Sequence, residues 1–106
     1  MNIFRQQEIL DQLAAILHAD APQRYDTVSC RFQYEHEYET ISSQLSYVLR
    51  GKTHNARLSS GAATDNLILC EELRGLMAAH TGGEWDAFTL TLDRDGKAQT
   101  QFEYPE

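Results

Sequence analysis

At 106 residues the chain has room for one domain with a single hydrophobic core. Its hydrophobic content of 42% and charged content of 24% are ordinary for a soluble globular protein, but a formal net charge of −7 is high for this length. Nonspecific binding to nucleic acid or to an anionic membrane needs the opposite sign, so the acidity suits either solubility or a basic protein partner.

The charge is unevenly distributed. Residues 1–49 carry three basic and seven acidic groups, residues 50–83 four basic and three acidic, and residues 84–106 two basic and six acidic. Two acidic ends flank a weakly basic middle.

The first element in chain order is an amphipathic helix over residues 3–18. Ile9, Leu10, Leu13, Ile16 and Leu17 recur at three- and four-residue spacing, with Gln6, Glu8, Asp11 and Gln12 between them. Asn2 suits the N-cap, and Ala21-Pro22 ends the segment. The opening MNIFRQQEILDQ places charges where a secretory signal is apolar, and no apolar run reaches the roughly 20 residues of a membrane span. A cytoplasmic location is therefore expected, with both thiols reduced.

Period-two patterning follows. Val28, Cys30, Phe32 and Tyr34 alternate with polar residues, as do Ile41, Leu45, Tyr47 and Leu49, which predicts two half-buried strands. They are joined through Tyr34-Glu35-His36-Glu37-Tyr38-Glu39. If this stretch is extended, Glu35, Glu37 and Glu39 line one face and Tyr34, His36 and Tyr38 the other. A third short strand is expected around residues 54–58, after a Gly51-Lys52 turn. Residues 62–80 read as a second helix with Leu69, Leu73, Leu76 and Met77 as its stripe, stopped by Gly82-Gly83. Phe88, Leu90 and Leu92, the turn Asp93-Arg94-Asp95-Gly96, and Thr100, Phe102 and Tyr104 spell a β-hairpin. The fold class is α+β: a two-layer sandwich with an antiparallel sheet of four to five strands and two helices on one face.

Catalytic and metal motifs are sparse. His18, His36, His54 and His80 fall in four different segments and form no HxxxH or HExxH pair. Asp93-x-Asp95-Gly96 opens like a calcium loop, but Lys97 and Tyr104 stand where oxygen ligands belong, and a hairpin turn accounts for it. Cys30 and Cys70 are forty residues apart with no nearby histidine, which favours core filling over nucleophilic use. Trp85 begins the last hairpin with parity opposite to Phe88, so it either covers the end of the second helix or is exposed for binding, with packing at the core or sheet edge the structural alternative.

The segment GGEWDAFTLTLDRDGKAQTQFEY resembles the C-terminal signature of the YezG-like immunity proteins. The shared features are a glycine-rich helix end, a Trp, an F-T-L-T-L strand, a D-x-D-G-K turn and a closing F-x-Y. RFQYEHEYE and the leading helix fit the same pattern. The resemblance spans the chain in order and length and is sharpest over Gly82–Tyr104. It implies an antitoxin encoded beside a polymorphic bacterial toxin, commonly one with a nuclease domain. It also implies neutralisation by binding, with no enzymatic activity and no cofactor. It supplies no toxin-contact residues. The pattern of acids and aromatics nominates Glu35, Glu37, Tyr38, Glu39, Glu71, Glu72 and Trp85 as the toxin-binding set, with no catalytic and no metal-ligating residues. The expected partner is the cognate toxin protein, with no direct contact to nucleic acid or membrane.

Two rival readings are retained. One is a small enzyme or ligand-binding domain using His36 or His54 with carboxylates in a cleft at a sheet end. The other is a homodimer through an open sheet edge.

Overall fold

The structure is a computed structural model that describes residues 3–21, 25–81 and 84–105. Its elements are α1 (Ile3–Asp20), β1 (Thr27–Glu35), β2 (Thr40–Leu49), β3 (Lys52–Ala56), α2 (Ser60–Thr81), β4 (Ala87–Asp93) and β5 (Ala98–Glu103). The five strands form one antiparallel sheet in the order β3-β2-β1-β4-β5. The architecture is the α+β two-layer arrangement expected from the alternation, with both helices on one face. Asn2, Pro22 and the Gly82-Gly83 pair lie outside the described residues.

Alternation places the core. Cys30 pairs with Leu45 on one side and Leu90 on the other, and Phe32 lies opposite Phe88, which in turn opposes Phe102. These side chains share one face and meet Ile9, Leu13 and Leu17 of α1 and Cys70 and Leu73 of α2. Phe32, Phe88 and Phe102 stack at 4.9 and 5.1 Å between ring centroids. The opposite face is a bare polar surface of Ser29, Arg31, Gln44, Ser46, Thr89 and their neighbours.

Local chemistry sets the connections and corrects three expected boundaries. The β2–β3 turn is Arg50-Gly51, one residue earlier than the expected Gly51-Lys52, because both residues adopt positive φ (53° and 78°) as a two-residue type I′ hairpin requires. A left-handed arginine costs about 1 kcal/mol, and Asp26 offsets this by accepting the Arg50 amide at 3.0 Å. The third strand accordingly runs over Lys52–Ala56 and not residues 54–58. α2 begins at Ser60 because Ser59 caps it, while Asp20 at the end of α1 accepts the Ser59 amide at 2.6 Å and ties the two helices. The Asp93–Gly96 turn forms as expected, with Asp93 Oδ1 accepting the amides of Asp95 and Lys97 and Gly96 at φ +84°.

Candidate functional site

Strand order decides where the charges gather. β1 ends beside the start of β4, and the Tyr34 amide donates to the Asp86 carbonyl at 2.8 Å. β1 does not continue through the acidic stretch. The chain turns at residues 36–39, the Tyr38 amide donates to the Glu35 carbonyl at 3.2 Å, and Glu39 sits at φ 50°. The expectation of one extended carboxylate face is therefore corrected: Glu37, Tyr38 and Glu39 project from a turn. Two antiparallel strands need a reversal there, and residues 36–39 supply it.

Glu71 of α2 and Glu84 join this turn around an open depression of about 440 Å³, which Tyr34, Ile41, Arg74 and Gly75 also line. Asp86 and Glu103 stand at the same sheet end, linked by the Asp86 amide to the Glu103 carbonyl at 2.8 Å. Seven carboxylates thus stand at this end of the sheet: Glu39, Glu71 and Glu84 line the depression, Glu35 and Glu103 lie on the uncovered face, and Glu37 and Asp86 flank them.

Four of the seven are engaged. Glu84 accepts from Arg74 Nη1 at 2.8 Å, Glu103 from Arg31 at 3.1 Å, Asp86 faces His36 Nε2 at 2.9 Å, and Ser42 Oγ donates to Glu35 at 2.8 Å. Glu37, Glu39 and Glu71 are exposed and make no ion pair among the described residues. Tyr38, 74% exposed, stands between Glu37 and Glu39.

Two nominated residues do not belong to this surface. Trp85 is fully buried and packs edge-on against Phe88 at 4.9 Å. Trp85 precedes β4, which starts only at Ala87, so strand alternation does not set the side on which its ring falls. Glu72 is bound to Arg5 of α1 through two hydrogen bonds of 2.5 and 2.6 Å. That pair holds the Glu72 carboxyl below its usual pKa, chiefly through the side-chain hydrogen bond from Arg5. Its charge is spent between the helices.

Sequence reasoning missed Arg74, Glu84 and Asp86. The only local signal was the pair of acids flanking Trp85, and its meaning depends on the pairing of β1 with β4. Arg74 organises the end: its guanidinium lies over the Tyr34 ring at 3.6 Å, and its Nε donates to the Trp85 carbonyl at 2.8 Å.

His18, His36 and His54 do not converge. His36 is in the β1–β2 turn with Asp86, whereas His54 stacks on Tyr47 in the edge strand, seven residues along β2 from Thr40 and so roughly 20 Å away. His18 bonds Tyr25 at 2.8 Å near the opposite end of the sheet. Among the described residues, no three His, Cys, Asp or Glu side chains converge as metal ligands. A second groove of about 450 Å³, between Ile16 and Ala15 of α1 and Ile68 and Leu69 of α2, is mostly aliphatic and holds no acid–base pair. No helix among the described residues is long and apolar enough to cross a membrane.

The opposite end of the sheet differs in sign. Arg50, Lys52, Arg94 and Lys97 gather there with Asp26, Asp93 and Asp95, and Asp26 pairs with Arg94. The fold and its charged end define a small α+β protein with an anionic, aromatic-tipped surface at one end of the sheet. No family model matches the chain, and no curated protein matches it.

Proposed function

We propose that this protein is an immunity protein that neutralises a cognate secreted nuclease toxin by binding it through the acidic end of the sheet. One observation carries the reading: Glu39 of the β1–β2 turn and Glu71 of α2, distant in sequence, line one open depression and, like Glu37, are exposed and make no ion pair among the described residues, with the exposed Tyr38 on the same turn. Like charges left together repel, and a cationic partner relieves that repulsion. Nuclease clefts hold phosphates with Lys and Arg, so carboxylates at this spacing substitute for phosphates. Opposite potentials accelerate encounter, and a desolvated aromatic such as Tyr38 prolongs the complex. The resemblance to the YezG-like immunity proteins supports the same reading.

Co-expression with the protein encoded beside this one tests it, through rescue of growth and co-purification. In surface plasmon resonance, replacing Glu37, Glu39 and Glu71 with Gln should slow association about tenfold or more at low salt and flatten its salt dependence. An unchanged association rate would sink the assignment to this surface.

A second reading rests on the 2.9 Å contact between His36 Nε2 and Asp86 Oδ1 beside the depression, which suits a small enzyme or ligand-binding domain. Turnover by the isolated chain that disappears in His36→Ala would establish it over the first.

A further inference from the structure

The two sheet edges are unlike. β3 is five residues long, starts with Lys52 and is flanked by Arg50 and Arg57, and charge on an edge discourages a further strand. β5 carries no charge and no proline between Ala98 and Phe102. Its helix side is also bare except at Phe102. The helices pack over β1, β2 and β4, while Ala98 and Thr100, on the same side as Phe102, stay exposed.

The ladder determines which backbone groups of β5 are free. The Asp93 amide donates to the Lys97 carbonyl at 3.0 Å. Antiparallel bonding alternates, so Gln99, Gln101 and Glu103 also turn their amides and carbonyls toward β4. Ala98, Thr100 and Phe102 turn theirs outward. A second antiparallel strand can bond to these groups only when outward residues oppose outward residues.

Pairing β5 with itself about Thr100 meets that condition over the whole strand. Ala98 then opposes Phe102 of the second copy, Gln99 opposes Gln101, and Lys97 opposes Glu103. The two-fold axis also sets the acidic end of each copy beside the Arg94 and Lys97 end of the other. We infer that two copies of this chain join through β5, antiparallel about Thr100, into one continuous sheet. The contact stands independently of the toxin reading. The β1–β2 turn lies two to three strand spacings, roughly 10–14 Å, from this edge and stays open. A six-residue strand contact belongs with interfaces below about 1,200 Å², which are transient, so the dimer forms at high concentration.

Sedimentation velocity from about 5 to 500 µM tests this, since such contacts assemble in that range. The expected result is a mass rising from one chain to two. Thr100→Pro removes an outward amide while sparing the ladder to β4, and should keep the chain monomeric with an unchanged far-ultraviolet spectrum. Lys97→Glu sets like charges opposite Glu103 of the second copy and should weaken dimerisation about tenfold. Thr100→Cys should form a disulfide dimer under mild oxidation, because residues on the axis lie about 5.5 Å apart, whereas Thr53→Cys on β3 should not. The crosslink decides the matter if the proline variant fails to fold. A single-chain mass at every concentration overturns the inference. So does a dimer that survives both Thr100→Pro and Lys97→Glu, or growth beyond two copies.

Discussion

Arg74 spreads its guanidinium 3.6 Å from the centroid of the Tyr34 ring, and the same group bonds the Trp85 carbonyl and the Glu84 carboxylate. Only 13% of its side chain is exposed. One arginine thus joins the end of β1, the middle of α2 and the approach to β4. Its planar fork serves all three because the ring contact uses a face and the hydrogen bonds use edges. Arg74→Ala should destabilise the fold by about 2–3 kcal/mol in urea unfolding, through the lost bonds and the unpaired Trp85 carbonyl. Arg74→Lys should recover little, since an ammonium cannot stack and bond in this geometry.

Acid should weaken the protein through two named pairs. Glu72 is held below its ordinary value of 4.5 chiefly by the hydrogen bond from Arg5, and Asp26 below 3.8 chiefly by that from Arg94. A carboxylate with a depressed folded-state pKa contributes stability that is present in full above its unfolded value and is lost as pH falls through the folded one. Urea midpoints should therefore hold steady above about pH 5 and fall below about pH 4. Arg5→Met and Arg94→Met should each make that acid limb shallower. An unchanged limb in the double variant would assign acid sensitivity to other groups.

The thiols should be silent until the protein unfolds. Burial pushes Cys30 up to about 12 and raises Cys70 as well, so almost no thiolate exists at neutral pH. Thiolate is the reactive form. With an aromatic disulfide reagent at pH 8, the folded chain should react at least about a thousandfold more slowly than the chain in guanidinium, where both cysteines are titrated. Rapid labelling of the folded state would mean that β1 and α2 separate readily.

Asn66 is only 2% exposed on the core face of α2, and neither its amide nitrogen nor its oxygen has a hydrogen-bond partner among the described residues. An unsatisfied buried amide costs about 1–3 kcal/mol. Asn66→Leu, which has the same branching and no polar atoms, should therefore stabilise the fold and raise the melting temperature by about 4–8 °C. A drop in melting temperature in both Asn66→Leu and the smaller Asn66→Ala would show that the amide is paired.

The elements were legible because each is written within a few residues. Period-two runs mark β1, β2 and β4, the aliphatic stripe marks α1, and Asp93 with Gly96 marks the last turn. Boundaries slipped where a cap or a turn type decided them. Ser59 captures the start of α2 by bonding to the first turn, and Arg50 accepts a left-handed backbone that composition alone assigns to glycine. Glu37, Tyr38 and Glu39 are exposed, but on a turn where the alternation of the sequence predicts an extended strand.

Sequence by itself determined the class of fold, the single-sided sheet and the acidity, because hydrophobic period and charge count are local or additive quantities. Tertiary structure alone decided which acids remain free. His36 meets Asp86 across 50 residues and Arg5 meets Glu72 across 67, so one acid is withdrawn from the surface and another joins its end. It also sent Trp85 inward. Those outcomes follow from strand order and helix placement, which put groups within bonding distance regardless of their separation along the chain.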